Sequence, residues 1–174
     1  MKKLLSILSI TATLFIANGC GGVADSINSA TKNGLFGDNG FSKAIADSTT
    51  TTLNINVDTQ YTTLTKIAFI RLDLTHQRMG DIKIVLISPS GTSAILANYR
   101  GGNKNIKDIS FKDDAKESIV NFDTATSKYR PEQPLSVFIG ENPKGIWKLK
   151  ITDSVNNAKV GVVTGHVFFI NGDK

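Results

Sequence analysis

The reading of the fold turns on Leu72–Thr92, LDLTHQRMGDIKIVLISPSGT. Ile70, Leu72 and Leu74 alternate with Arg71, Asp73 and Thr75, the period of two that a strand shows when one face is buried and the other wet. Gln77–Asp81 breaks the alternation, and Gly80 is expected to supply the φ freedom of a tight reversal. Ile82–Ile87 is then almost wholly apolar, which predicts a strand covered on both sides. Ser88-Pro89-Ser90-Gly91 closes it, with Pro89 pre-setting φ and Gly91 free to turn left-handed.

Outward from this stretch the pattern repeats. Thr49–Val57, Leu64–Thr75, Ser93–Ala97, Ile109–Lys112, Leu135–Ile139, Ile146–Thr152 and Val160–Ile170 read as further strands, with a loop through Tyr99–Lys107 and turns at Gly140–Gly145 and Asn156-Asn157. No long helical period occurs. Eight or nine short strands separated by turn signals predict an all-β fold, an antiparallel β-sandwich.

Several pieces resemble, in order and spacing, the P domain (Homo B) of subtilisin-family proprotein convertases. They are Leu74-Thr75-His76, Gly80-Asp81-Ile82, Ser88-Pro89-Ser90-Gly91-Thr92, Phe111 with Asp113-Asp114-Ala115 and Ser118-Ile119, Tyr129-Arg130-Pro131-Glu132 with Pro134-Leu135, Gly140-Glu141, Gly145 with Trp147 and Leu149, Asp153 and Gly161. The resemblance implies a jelly-roll, galactose-binding-domain-like sandwich over 49–174 and a non-catalytic role. The expected role is an accessory or binding module for a subtilisin-type serine endopeptidase or another surface protein. It also raises calcium as a cofactor. Asp113 and Asp114 are the first candidates, with Asp81, Glu132 and Asp153 as further hard oxygen donors in loops and strand ends. The alternative for these carboxylates is turn capping and pairing with Lys112, Lys116 or Arg130.

The N-terminal stretch reads differently. Lys2-Lys3, an apolar run from Leu4 to Ile16 and small residues before Cys20 make 1–20 an export signal, too short and too rich in Ser and Thr for a membrane span. Cys20 is the only cysteine of the 174 residues, so it has no internal disulfide partner. Its context resembles a bacterial lipobox, with Ala17 where Leu is usual, and implies lipidation at Cys20, membrane attachment through acyl chains, and an outer-membrane or cell-surface location. Residues 21–48 are rich in Gly, Asn, Ser, Asp and Ala and read as a flexible tether, whose root-mean-square span would be roughly 25–30 Å.

Charge and single residues exclude or narrow other functions. The net charge of +5 falls to about +3 once Lys2 and Lys3 leave with the signal, and the remaining bases are interspersed with acids, which argues against nucleic acid as a partner. Gly91-Thr92-Ser93-Ala94 superficially matches a subtilisin nucleophile context, but Ile95-Leu96 follows, the Gly-Thr pair already belongs to the turn, and the only histidines are His76 and His166. His76 is expected to tie its turn by a hydrogen bond rather than act as a pH-responsive contact. His166 stands where many bacterial P domains carry Trp. Trp147 is expected in the core. A second function class, a lectin-like module binding glycan, rests on fold analogy and on the loop Tyr99-Arg100-Gly101-Gly102-Asn103.

Overall fold

The computed structural model describes residues 34–174. The signal, Cys20 and the first part of the expected tether lie outside the described residues. Ten strands run in the order β1 (Leu35–Ile45), β2 (Thr50–Val57), β3 (Thr63–His76), β4 (Ile82–Ile87), β5 (Ser93–Asn98), β6 (Ile106–Phe111), β7 (Glu117–Ser118), β8 (Lys128–Arg130), β9 (Gly145–Asp153) and β10 (Gly161–Asp173). They form two sheets, β1-β10-β3-β6-β8-β7 and β2-β9-β4-β5. The pairing is antiparallel except where the short β8 runs parallel to β6 and β7. The result is an all-β jelly-roll sandwich.

Alternation explains the layering. In β3, Ile70, Leu72 and Leu74 turn inward, and in β9 Trp147, Leu149 and Ile151 do the same from the opposite sheet. Trp147 sits between Phe138 and Phe168, with ring centroids 5.1 and 5.0 Å away, and its indole N–H donates to the Pro143 carbonyl at 2.9 Å. This satisfies the one polar group that burying the indole would otherwise strand. Phe138, Phe168 and Ile170 are all core residues.

Four expectations are corrected. The expected tether over 21–48 does not hold for Leu35–Ile45, which is a strand paired with β10 from Leu35↔Phe169 to Ile45↔Gly161. Only Phe36 and Ile45 of its eleven residues are buried, with Phe41 partly so, and an edge strand this wet and glycine-rich has the composition of a linker. Gly37 is nonetheless required, since a Cβ there would stand 2.5 Å from the His166 carbonyl oxygen.

Leu135–Ile139 is not a strand: Leu135–Phe138 forms a 3-10 turn. Pro134 opens it, and the Asp113 carboxylate accepts the Leu135 and Ser136 N–H groups at 2.7 and 2.9 Å. Burial accordingly falls on Leu135 and Phe138, three apart. Ile82–Ile87 is covered on one side only, with Ile82, Ile84 and Leu86 buried and Val85 and Ile87 partly exposed. Finally, Gly80 is needed for space and not for φ: a Cβ there would lie 2.6 Å from the Gly102 carbonyl oxygen. Gly91 does take the left-handed conformation, at φ +93°.

Candidate functional site

The sandwich gathers the motif residues into ties at its periphery. The first closes one end. His76, the last residue of β3, and Asp153, the last of β9, belong to opposite sheets, and the ring Nε2 meets Asp153 Oδ2 at 3.1 Å. Both side chains are fully buried. The Asp153 carboxylate accepts from Nε2–H, while Nδ1 faces both the Arg78 N–H, at 3.1 Å, and the Arg78 carbonyl oxygen, at 3.0 Å. Asp153 Oδ1 takes the Val155 N–H at 3.0 Å.

Asp81 stands alongside, 1% exposed, accepting from the Asn157 side-chain amide at 2.9 Å. Its 3.2 Å approach to Arg78 Nε is purely ionic, because that nitrogen is buried without a hydrogen bond. Asp47, just beyond β1, accepts the Asn157 and Ala158 N–H groups. Gly161 lets the strands approach, since its Cβ would fall 2.7 Å from the His76 ring. Thus both ring nitrogens of His76 are committed internally.

The second tie lies at the other end of β4. Gly91 N–H donates to the Ser88 carbonyl at 3.0 Å and Ser88 N–H to the Thr92 carbonyl at 2.8 Å, closing the Ser-Pro-Ser-Gly-Thr turn. Ser90 Oγ donates to Glu141 Oε2 at 2.6 Å. Burial alone would raise the Glu141 carboxyl, but hydrogen bonds from Ser88, Ser90 and Thr92 outweigh it and hold the group below the usual range. Pro89 rests against Gly145, where a Cβ would come within 3.0 Å of the ring. Glu141 was visible in the sequence as part of a motif, but no spacing signal shows that it anchors a turn 51 residues earlier.

The third tie holds the 112–136 segment. Tyr129 is buried, its hydroxyl bonded to the Asp123 and Thr126 carbonyls, and burial pushes the phenol pKa up. Arg130 donates to the Ala115 and Lys116 carbonyls, both at 2.6 Å. Pro131, next in the chain, is buried. Glu132 takes a bidentate pair from Arg100 at 2.8 and 2.9 Å.

The five carboxylates expected to share calcium are therefore not brought together. Asp113 caps the 3-10 turn, exposed Asp114 pairs with Lys112 at 2.9 Å, Glu132 holds Arg100, and Asp81 and Asp153 belong to the closed end. Among the described residues no group of three or more His, Cys, Asp or Glu side chains could hold a metal ion. Of the expected alternative, capping is seen at Asp113 and pairing with Lys112 at Asp114, while Glu132, Asp81 and Asp153 take partners other than Lys112, Lys116 or Arg130. The glycan-candidate loop is similarly tied: Tyr99 is exposed, but Arg100 is locked by Glu132, and a Cβ at Gly101 would stand 2.5 Å from the Phe122 ring.

His166, on β10, lies under Phe41 with centroids 6.0 Å apart, and its Nδ1 has no partner. Burial lowers its pKa, against the opposing pull of Asp38 and Asp73.

The family model of the proprotein convertase P-domain matches residues 66–166, from within β3 to His166 in β10. The chain belongs to the proprotein convertase P-domain family. This P domain is 33% identical over 92 residues to PC3-like endoprotease variants B and A of Hydra vulgaris, an alignment over 51% of this chain. The chain spans only about a tenth of the length of these relatives, 10% and 9%. Among solved structures, the serine protease of Aeromonas sobria in complex with its chaperone aligns over 80% of this chain and 26% of its own, with 21% identity and a TM-score of 0.48. A second structure of that protease gives 78%, 26%, 19% and 0.43.

Proposed function

We propose that this P domain is a non-catalytic accessory module for a subtilisin-like serine endopeptidase, attached to the cell envelope by lipid on Cys20. The observation that carries the accessory role is the fate of the motif groups within the family match. His76, Asp81, Asp153, Glu132 and Arg130 are spent on internal bonds. They hold a shape and offer no poised base or nucleophile to a substrate, and shape is what an accessory domain contributes. That the matched relatives are named endoproteases supports a protease as the partner. The basic leader, apolar run and Cys20 support the anchor.

The test is affinity capture of the C-terminally tagged full chain from its native envelope, with and without calcium, beside a Cys20→Ala variant. Recovery of a subtilisin-type protease whose thermal inactivation quickens when the domain is removed supports the reading. Recovery of polysaccharide or structural envelope proteins without a protease overturns it. Retention of the Cys20→Ala chain in the membrane fraction would overturn the anchor.

A further inference from the structure

The outer face of the four-stranded sheet carries charge of one sign. Register places its outward residues in rows across β2, β9, β4 and β5: Thr50-Thr152-Lys83-Asn98, then Thr52-Lys150-Val85-Ile95, then Asn54-Lys148-Ile87-Ser93, with Asn56 beside Ile146 at the margin. No acid stands in any row. Among the described residues, Lys83, Lys148 and Lys150 have no carboxylate within 4.0 Å, whereas on the outer face of the other sheet Arg71 is paired with Asp73 at 2.6 Å. Between the lysines lie Val85, Ile87 and Ile95, partly exposed, and Ile146, half exposed.

We propose that this face docks an acidic protein surface with apolar groups among its carboxylates. Charge complementarity selects an acid partner, because unpaired lysines repel one another until an anion neutralises them. The apolar residues between them select a protein over a polysaccharide, since they offer no hydrogen bonds to sugar hydroxyls and their burial against side chains is favourable. A second copy of the chain meeting the same face would oppose lysine to lysine. Strand spacing makes the face on the order of 500 Å², below the ~800 Å² a partner contributes to a standard stable complex. Attraction by charge thus outweighs buried area, and the complex is salt-sensitive. The inference rests on the accessory reading for its biological partner, but not for its test.

The full chain is titrated calorimetrically with a soluble designed β-hairpin whose one face alternates Glu and Val, at low and at physiological salt. Separate titrations use polygalacturonate and phosphatidylglycerol vesicles. The expected result is hairpin binding that weakens at least tenfold with salt, falls at least tenfold in Lys83→Gln/Lys148→Gln/Lys150→Gln, and falls several-fold in Ile146→Ser. The four substituted side chains are solvent-facing, and unchanged thermal unfolding of each variant serves as the folding control. Absence of hairpin binding, binding indifferent to the triple substitution, or equal lysine-dependent binding of polygalacturonate or the vesicles overturns the proposal. A failure here leaves protease capture intact, and a failure of capture leaves hairpin binding intact.

Discussion

Asp153→Leu tests the closed end of the sandwich most directly. Asp153 and His76 are both fully buried, and they join β9 of one sheet to β3 of the other. Removing the carboxylate strands two donors, His76 Nε2–H and the Val155 N–H. The two lost hydrogen bonds to a carboxylate, about 1.5–3 kcal/mol each, sum to about 3–6 kcal/mol. Against a total stability of about 5–15 kcal/mol, this is a large share. For a domain of this size it lowers Tm by roughly 10–20 °C. The single tryptophan, Trp147, is fully buried, so its emission during urea titration reports unfolding. His76→Leu/Asp153→Leu should lose less than the sum of the single changes, because neither group is left unpaired. A loss below about 1 kcal/mol for Asp153→Leu, set against the roughly 3–6 kcal/mol of two stranded donors, or strict additivity in the double variant, would refute the argument.

Three further outcomes follow from the packing. Trp147→Ala, which empties the space between Phe138 and Phe168, should lose about 3–5 kcal/mol in the same denaturant assay. Asp113→Ala should lose about 1.5–3 kcal/mol and speed amide exchange at Leu135 and Ser136 while Trp147 emission in the folded state is kept. For His166, burial lowers the folded pKa below the ordinary 6.5, so the unfolded chain takes up a proton first as pH falls. Its contribution to stability is full above about 6.5 and declines as pH drops towards the folded pKa. His166→Phe should flatten the ΔG profile between pH 7 and 5, and an unchanged slope would exclude the histidine as its source.

What the sequence disclosed depended on whether a residue's role is local. The alternation in β3 and β9, the Ser-Pro-Ser-Gly-Thr turn and the core position of Trp147 are written in neighbours two to four apart, and each is where it was expected. β1 was hidden because its partner is β10, at the far end of the chain, and an edge strand needs few apolar residues. Leu135–Phe138 departs from the expected strand because its turn is capped by Asp113, 22 residues earlier. The partners of the candidate ligands lie far away in sequence: Asp153 holds His76 across 77 positions and Glu132 holds Arg100 across 32. Such contacts decide between a cation site and a structural tie, and periodicity carries no trace of them.

The pairing of β1 with β10 also has a consequence for biosynthesis. β1 is the first described strand to be made, and its hydrogen-bonded neighbour in the sheet is the last. Between them lie the eight other strands, and β10 is also the neighbour of β3. Until β10 emerges, β3 lacks one edge and β1 has no ladder to join, so the larger sheet is completed late, through contacts of very high sequence separation. A nascent chain of this domain therefore carries an open, pairing-competent strand edge through most of its translation, and that is the interval in which a holding factor has something to hold.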